Sequence, residues 1–200
     1  MNYPKSLKDL IESFKKLPGI GEKSAERMAL ATLELDQEIL DTFSSSLKSI
    51  KEKIKKCEVC HNYCEDDKCE ICKNEGRDKT TICVVEEPKN VILFERVGSY
   101  NGLYHVLDGL ISPLEGITPD QINIDSLLKR IENGNVKEII FALKPSIEGE
   151  TTSLYISKLL EGKDIKISKI AHGIPMGAEM DYLDSLTLEM ALENRSQLNN

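Results

Sequence analysis

Five of the six cysteines in this 200-residue chain fall within sixteen positions. Four of them form two tight pairs, Cys57-x-x-Cys60 and Cys69-x-x-Cys72, with eight residues between the pairs. Each pair can place two thiolates on one tetrahedral Zn²⁺, and two such knuckles close a four-sulfur structural site. Disulfides and redox thiols are the competing readings. Disulfides do not suit a cytoplasmic chain, and a thioredoxin-like motif belongs at a strand–helix junction rather than in a twin pair. The spacing therefore predicts one zinc per chain. His61 and Cys64 lie inside the loop but complete no second pair, so they read as bystanders. Cys83 sits in an apolar run and reads as a small core residue. Residues 57–79 are too few to bury a core, so metal ligation must supply their order.

A second constellation is Leu17-Pro18-Gly19-Ile20-Gly21, followed by Lys23 and Arg27. Gly19 and Gly21 allow backbone conformations closed to other residues and let a phosphate approach the free N–H groups of the helix that follows. Lys23 and Arg27, four apart, share a face of that helix. Leu17 and Ile20 are expected to anchor the hairpin. This is the pattern of a helix–hairpin–helix, a sequence-indifferent binder of the DNA backbone; the plainer reading is a turn that only packs two helices. Gly21-Glu22-Lys23-Ser24 imitates the end of a Walker A loop, but Glu22 and Leu17 stand where that motif needs glycine, and a helix precedes it instead of a strand. No nucleotide site is expected there.

The third constellation is acidic. Glu86 and Glu87 end the apolar run Thr81–Val85, and sites in open parallel sheets gather at the carboxyl ends of strands. Glu148-Gly149-Glu150 follows a later apolar run, and the sequence places it in a turn projecting from the sheet edge. This arrangement resembles a Toprim domain. In enzymatic Toprim proteins a Glu after the first strand and a later Asp-x-Asp hold Mg²⁺ for phosphoryl chemistry. Glu86 fits the first element. Leu143-Lys144-Pro145 replaces the second, and Lys144 opposes a divalent cation.

The elements that must position these groups follow from periodicity. Leu7, Leu10, Ile11, Phe14 and Leu17 mark one helix face, and Ala25, Met28, Ala29 and Thr32 a second. Asp36 is placed to cap a third helix, whose stripe is Ile39, Leu40, Phe43, Leu47, Ile50 and Ile54. From Thr80 onward, strands at 81–85, 104–107, 136–143 and 165–170 alternate with helices at 90–96, 126–133 and 151–160, which predicts a mostly parallel sheet covered by helices.

Composition sets the outer limits. Apolar residues make up 40% and charged residues 30%, which suits a globular chain rather than a disordered one. No run approaches the ~18 apolar residues of a membrane helix. Charge from Lys5 onward interrupts the N-terminus, leaving no signal-peptide core and a cytoplasmic protein as the expectation. The net charge is −8, but residues 1–56 carry +2, residues 57–79 carry −3 and residues 80–200 carry −7. A mildly basic front on an acidic body suits a polyanion-binding end joined to a protein-binding one.

In order along the chain, LPGIG, CEVC and CEIC, ICVVEEP, GLYHVLDGLISPLEGI, IEGE and GIPMGAEMDYLDSLTLEMALENR resemble the RecR family of bacterial recombination mediators. The resemblance implies an α/β protein with a helix–hairpin–helix domain at 1–56, a four-cysteine zinc finger at 57–79, a Toprim domain at 80–175 and a C-terminal Walker B-like, oligomerising segment at 176–200. It implies ring-like tetramers that bind DNA and work with RecO, and in some settings RecF, to load RecA onto single-stranded DNA, without enzymatic activity. Zinc ligands would be Cys57, Cys60, Cys69 and Cys72, and the hairpin's basic residues Lys23 and Arg27. Two departures are Lys144, where the family usually has Asn, and Gly177-Ala178, where it has Gly-Gly. The acidity of residues 80–200 further suggests that Glu148, Glu150 and Glu86 dock a basic mediator. The alternative is a Mg²⁺-dependent Toprim nuclease working at Glu86, which the missing Asp-x-Asp disfavours.

Overall fold

The computed structural model describes residues 3–171, 173–174 and 176–195. It divides into two compact units, 1–53 and 54–200. The division falls before the expected boundary at residue 56 because Lys55 and Lys56 form a strand with Tyr63 and Cys64, which ties them to the zinc-finger segment.

In the first unit, α1 (Lys5–Lys15) packs on α2 (Glu22–Ala31). Ile11, Ala25 and Ala29 are buried at the contact, with Leu7, Leu10, Phe14 and Ile20 around them. Two alanines on one face of α2 let the helices approach closely. Ile20 anchors the hairpin as expected, whereas Leu17 does not: it remains 52% exposed. A short 3₁₀ turn (Thr32–Glu34) leads to α3 (Gln37–Lys53), which begins directly after Asp36. The periodicity correctly marks this helix, but no residue of α3 is buried. A stripe in sequence fixes which face is apolar; it does not supply a partner for that face.

The second unit opens with the hairpin of β1 (Lys55–Lys56) and β2 (Tyr63–Cys64), followed by the single turn α4 (Glu70–Lys73). Then comes a four-stranded sheet: β3 (Asp78–Val85), β4 (Gly102–Val106), β5 (Glu138–Ala142) and β6 (Lys166–Lys169), in the order β4-β3-β5-β6. Every pairing in it is parallel. The central strand β3 carries an uninterrupted apolar run because both its faces are covered. Ile82 and Val84 pack with Leu127 and Ile131 of α6 (Ile124–Asn133) and Ile156 of α7 (Ile147–Leu159). Cys83 and Val85 pack with Tyr104 and with Val91 of α5 (Pro88–Val97). Cys83 is thus the core residue the sequence suggests, and burial pushes its thiol up to about 12. The start of α5 is fixed by a capping box between Glu87 and Asn90, with Pro88 in its first turn.

One local expectation is overturned. Glu148 and Glu150 do not sit in a projecting turn: Ser146 caps α7, accepting the Gly149 N–H at 3.3 Å, and both carboxylates belong to the first helical turn. Gly149 is glycine because the chain approaches itself there, and so it gives no turn signal. After the sheet, α8 (Ser185–Glu193) is capped by Asp184. Residues 196–200 of the expected 176–200 segment lie outside the described residues.

Candidate metal centre, hairpin and acidic cleft

The two knuckles come together. The Sγ atoms of Cys57, Cys60, Cys69 and Cys72 all lie within 4.8 Å of one another, and the first three residues are buried. A tetrahedral zinc with ~2.3 Å bonds needs its sulfurs roughly 3.8 Å apart, and Cys60 and Cys69 stand at 3.5 Å. The donor set and its closeness fit zinc. The backbone builds the first knuckle: the His61 N–H reaches the Cys57 carbonyl at 2.9 Å and the Cys57 N–H reaches the Asn62 carbonyl at 2.8 Å. The Cys69 N–H donates to Cys57 Sγ at 3.3 Å, stitching the second knuckle to the first. Cys64 bonds the Asp66 carbonyl at 2.8 Å and stays outside the cluster. His61 turns away from the sulfurs to Ser126 Oγ at 2.8 Å.

At the hairpin, Gly19 has φ +80°, a conformation that side chains resist. Gly21 differs: its φ is −86° and ψ 174°, ordinary extended backbone, and a Cβ built there meets nothing within 4 Å. Neither conformation nor packing within the chain calls for glycine at 21. Lys23 and Arg27 are exposed on α2 and join no ion pair among the described residues. Lys15 is different, held at 2.8 Å from Glu12 and 2.7 Å from Glu22, so it clamps the two helices of the hairpin.

At the carboxyl ends of β3 and β5 lies a cleft of about 280 Å³ lined by Glu86, Gly109, Ser112, Glu115, Lys144 and Glu148. Burial raises the Glu86 carboxyl above its ordinary range and Glu87 adds to this, while Lys144 and Lys89 oppose it. The Glu148 carboxyl is lowered, first by the Ser146 hydroxyl and also by Lys144. Lys144 is thus an intramolecular cation in a carboxylate-rich cleft. Glu150 does not share this cleft; both its oxygens lie 3.0 Å from Lys169 on β6. Glu115 is the acid that sequence reasoning missed. It stood inside the quoted stretch GLISPLEGI but has no apolar pattern around it to place it beside Glu86.

These features agree with comparisons to known families. Residues 7–51 match the RecR helix-hairpin-helix family; residues 54–74 match the RecR four-cysteine zinc finger domain; residues 80–171 match the Toprim domain; and residues 173–196 match the RecR C-terminal family. Fold and cysteine cluster together define a zinc-finger Toprim protein of DNA repair and recombination, with one structural zinc on the four thiolates. The chain belongs to the RecR family, and its domains support a recombination mediator role. Among the described residues no helix is long and apolar enough to cross a membrane.

Proposed function

We propose that this chain is a cytoplasmic DNA-binding scaffold that acts with RecO, and in some settings with RecF, to load RecA onto single-stranded DNA, and that it is not itself an enzyme. The hairpin grips DNA: Gly19 and Gly21 bare the N–H groups at the start of α2, and Lys23 and Arg27 neutralise adjacent phosphates. The observation that carries this reading is Gly21. A glycine that neither the backbone angles nor internal packing requires leaves room for something outside the chain. The acidic cleft docks a basic mediator through Glu86 and Glu148, with Glu115 beside them. Glu150 serves as a second docking point outside this cleft, where a partner's cation would replace Lys169. A ring-like tetramer sets several weakly binding hairpins on one DNA and raises avidity through effective concentration.

The test is RecA loading onto single-stranded DNA coated with single-strand-binding protein, in the presence of RecO. Lys23→Ala with Arg27→Ala should abolish stimulation by weakening DNA binding alone. Glu148→Lys with Glu150→Lys should abolish it by weakening RecO binding alone. Stimulation untouched by either pair would refute the assignment. Mg²⁺- or Mn²⁺-dependent DNA cleavage that disappears in Glu86→Gln would replace the scaffold with a Toprim enzyme.

A further inference from the structure

The zinc knuckle and the acidic cleft lie on opposite sides of one short segment, Val106–Gly109, that continues β4. The zinc side holds it at two points. The Val106 N–H donates to the carbonyl of the zinc ligand Cys60 at 2.9 Å. Lys56, the residue immediately before the first ligand, places its Nζ 2.8 Å from Asp108 Oδ1. The cleft side takes over from there: the Asp108 N–H donates to the Glu86 carbonyl at 2.8 Å, the Leu107 N–H to the Val85 carbonyl at 2.9 Å, and Gly109 lines the cleft itself.

Two residues along this seam are held in a conformation that few side chains accept. His61, in the first knuckle, has φ +60°, and Asp108 has φ +65°; among the described residues they are the two non-glycine positions with positive φ. Such residues persist where their surroundings over-determine them. His61 is pinned by Ser126, and Asp108 is pinned by Lys56 on one side and the Glu86 carbonyl on the other. Both left-handed positions sit where the metal centre meets the cleft rim.

We propose that Lys56 and Asp108 are positioning residues through which the zinc knuckle fixes the rim of the acidic cleft. With zinc bound, β1 is held, Lys56 keeps Asp108 in its left-handed turn, and Gly109 stays beside Glu86. Without zinc, Cys60 and Lys56 release the segment, Asp108 relaxes toward ordinary backbone angles, and the rim opens. The step from a fixed rim to a docked partner rests on the proposed docking function; the step from zinc to rim does not.

The experiment is hydrogen exchange on the full-length, zinc-loaded protein, resolving the amides of Val106, Leu107 and Asp108. In Lys56→Met, zinc content should remain one per chain while the Leu107 and Asp108 amides exchange about two- to fivefold faster, the range an ion pair of this exposure supports. Lys56→Arg should restore protection. Asp108→Asn, outside the finger, should reproduce the Lys56→Met pattern, which keeps the test meaningful if Lys56→Met sheds metal. Stripping zinc from the wild type with a chelator should deprotect all three amides. Wild-type protection at these amides in Asp108→Asn, or after zinc removal, overturns the proposal. RecO affinity is measured alongside. If RecO never binds the wild type, the docking function fails and the exchange result stands by itself.

Discussion

A Cβ built on Gly149 would lie 2.0 Å from the carbonyl oxygen of Lys144. The first turn of α7 therefore rests directly on the peptide that carries the chain out of β5. That contact sets Lys144 and Glu148 on one cleft, and no side chain larger than hydrogen allows it.

Gly149→Ala should consequently destabilise the protein, although glycine-to-alanine changes inside helices usually help by ~0.5–1 kcal/mol. The obstacle is backbone and cannot rotate away, so a net loss of roughly 1–3 kcal/mol is expected, as for overpacking generally. Urea unfolding measures it. Equal or greater stability in the variant would mean that the turn is not so tightly seated.

Cys69→Ser removes one of the four thiolates. Zinc content should fall well below one per chain, and residues 54–73 should lose protection from exchange, because ligation supplies the order of this short segment. Elemental analysis that still finds a full zinc would exclude Cys69 as a ligand.

Gly21→Val separates folding from DNA binding. Its backbone angles suit valine and a Cβ there meets nothing within 4 Å, so the fold should persist, with the melting temperature lowered only by the weaker N-cap that valine makes at the start of α2. DNA affinity should fall about tenfold, equivalent to ~1.4 kcal/mol, because the side chain stands between the phosphate and the helix start. The companion change, Lys23→Ala with Arg27→Ala, should reduce the slope of log affinity against log salt by about 1.8 on duplex DNA. A gel-shift titration reads both; unchanged affinity in both variants would move the DNA site elsewhere.

His105 gives the protein an acid sensitivity of definite sign. It is fully buried, with Nε2–H donating to the Asn123 carbonyl at 2.8 Å. Desolvation pushes its pKa down to about 3 from 6.5, with Arg130 and His61 adding to the effect. Below pH 6.5 the unfolded chain takes up a proton that the folded chain refuses. Stability from this group is therefore complete above pH 6.5 and is lost as pH falls toward 3. Between pH 6.5 and 5.5 the loss should be about 1 kcal/mol. Urea unfolding of the zinc-loaded protein at the two pH values, with His105→Gln for comparison, isolates it. Wild type and variant losing equal stability over that interval would contradict the assignment.

How far the sequence reached depended on the kind of signal. Strands β3 and β5 were legible because a doubly covered parallel strand must be apolar throughout. The cysteine cluster was legible because ligand spacing is a local constraint. Glu148 and Glu150 were misplaced because the pattern E-G-E reads as a turn, and nothing local reveals that Gly149 answers to a carbonyl five residues back. The pairing of Glu150 with Lys169 depends on α7 lying beside β6, and that of Lys56 with Asp108 on the cysteine segment lying along the end of β4; both bring distant positions together. Leu17 stays exposed although it has the right helical phase, because it falls beyond the helix end at Lys15.

The strand order β4-β3-β5-β6 also sets a timetable. Strand β3 is made first among the four yet lies between β4 and β5, so its ladder is complete only when β5 (Glu138–Ala142) has been synthesised and Cys83 can meet Ile140. The packing of α1 on α2 closes within the first stretch of chain, between neighbours in sequence. Local contacts form quickly and long-range parallel pairing slowly. On the ribosome, the hairpin unit is therefore expected to mature while the central strand still waits with an unsatisfied edge, and that edge is where a nascent chain of this protein is most open to chaperones.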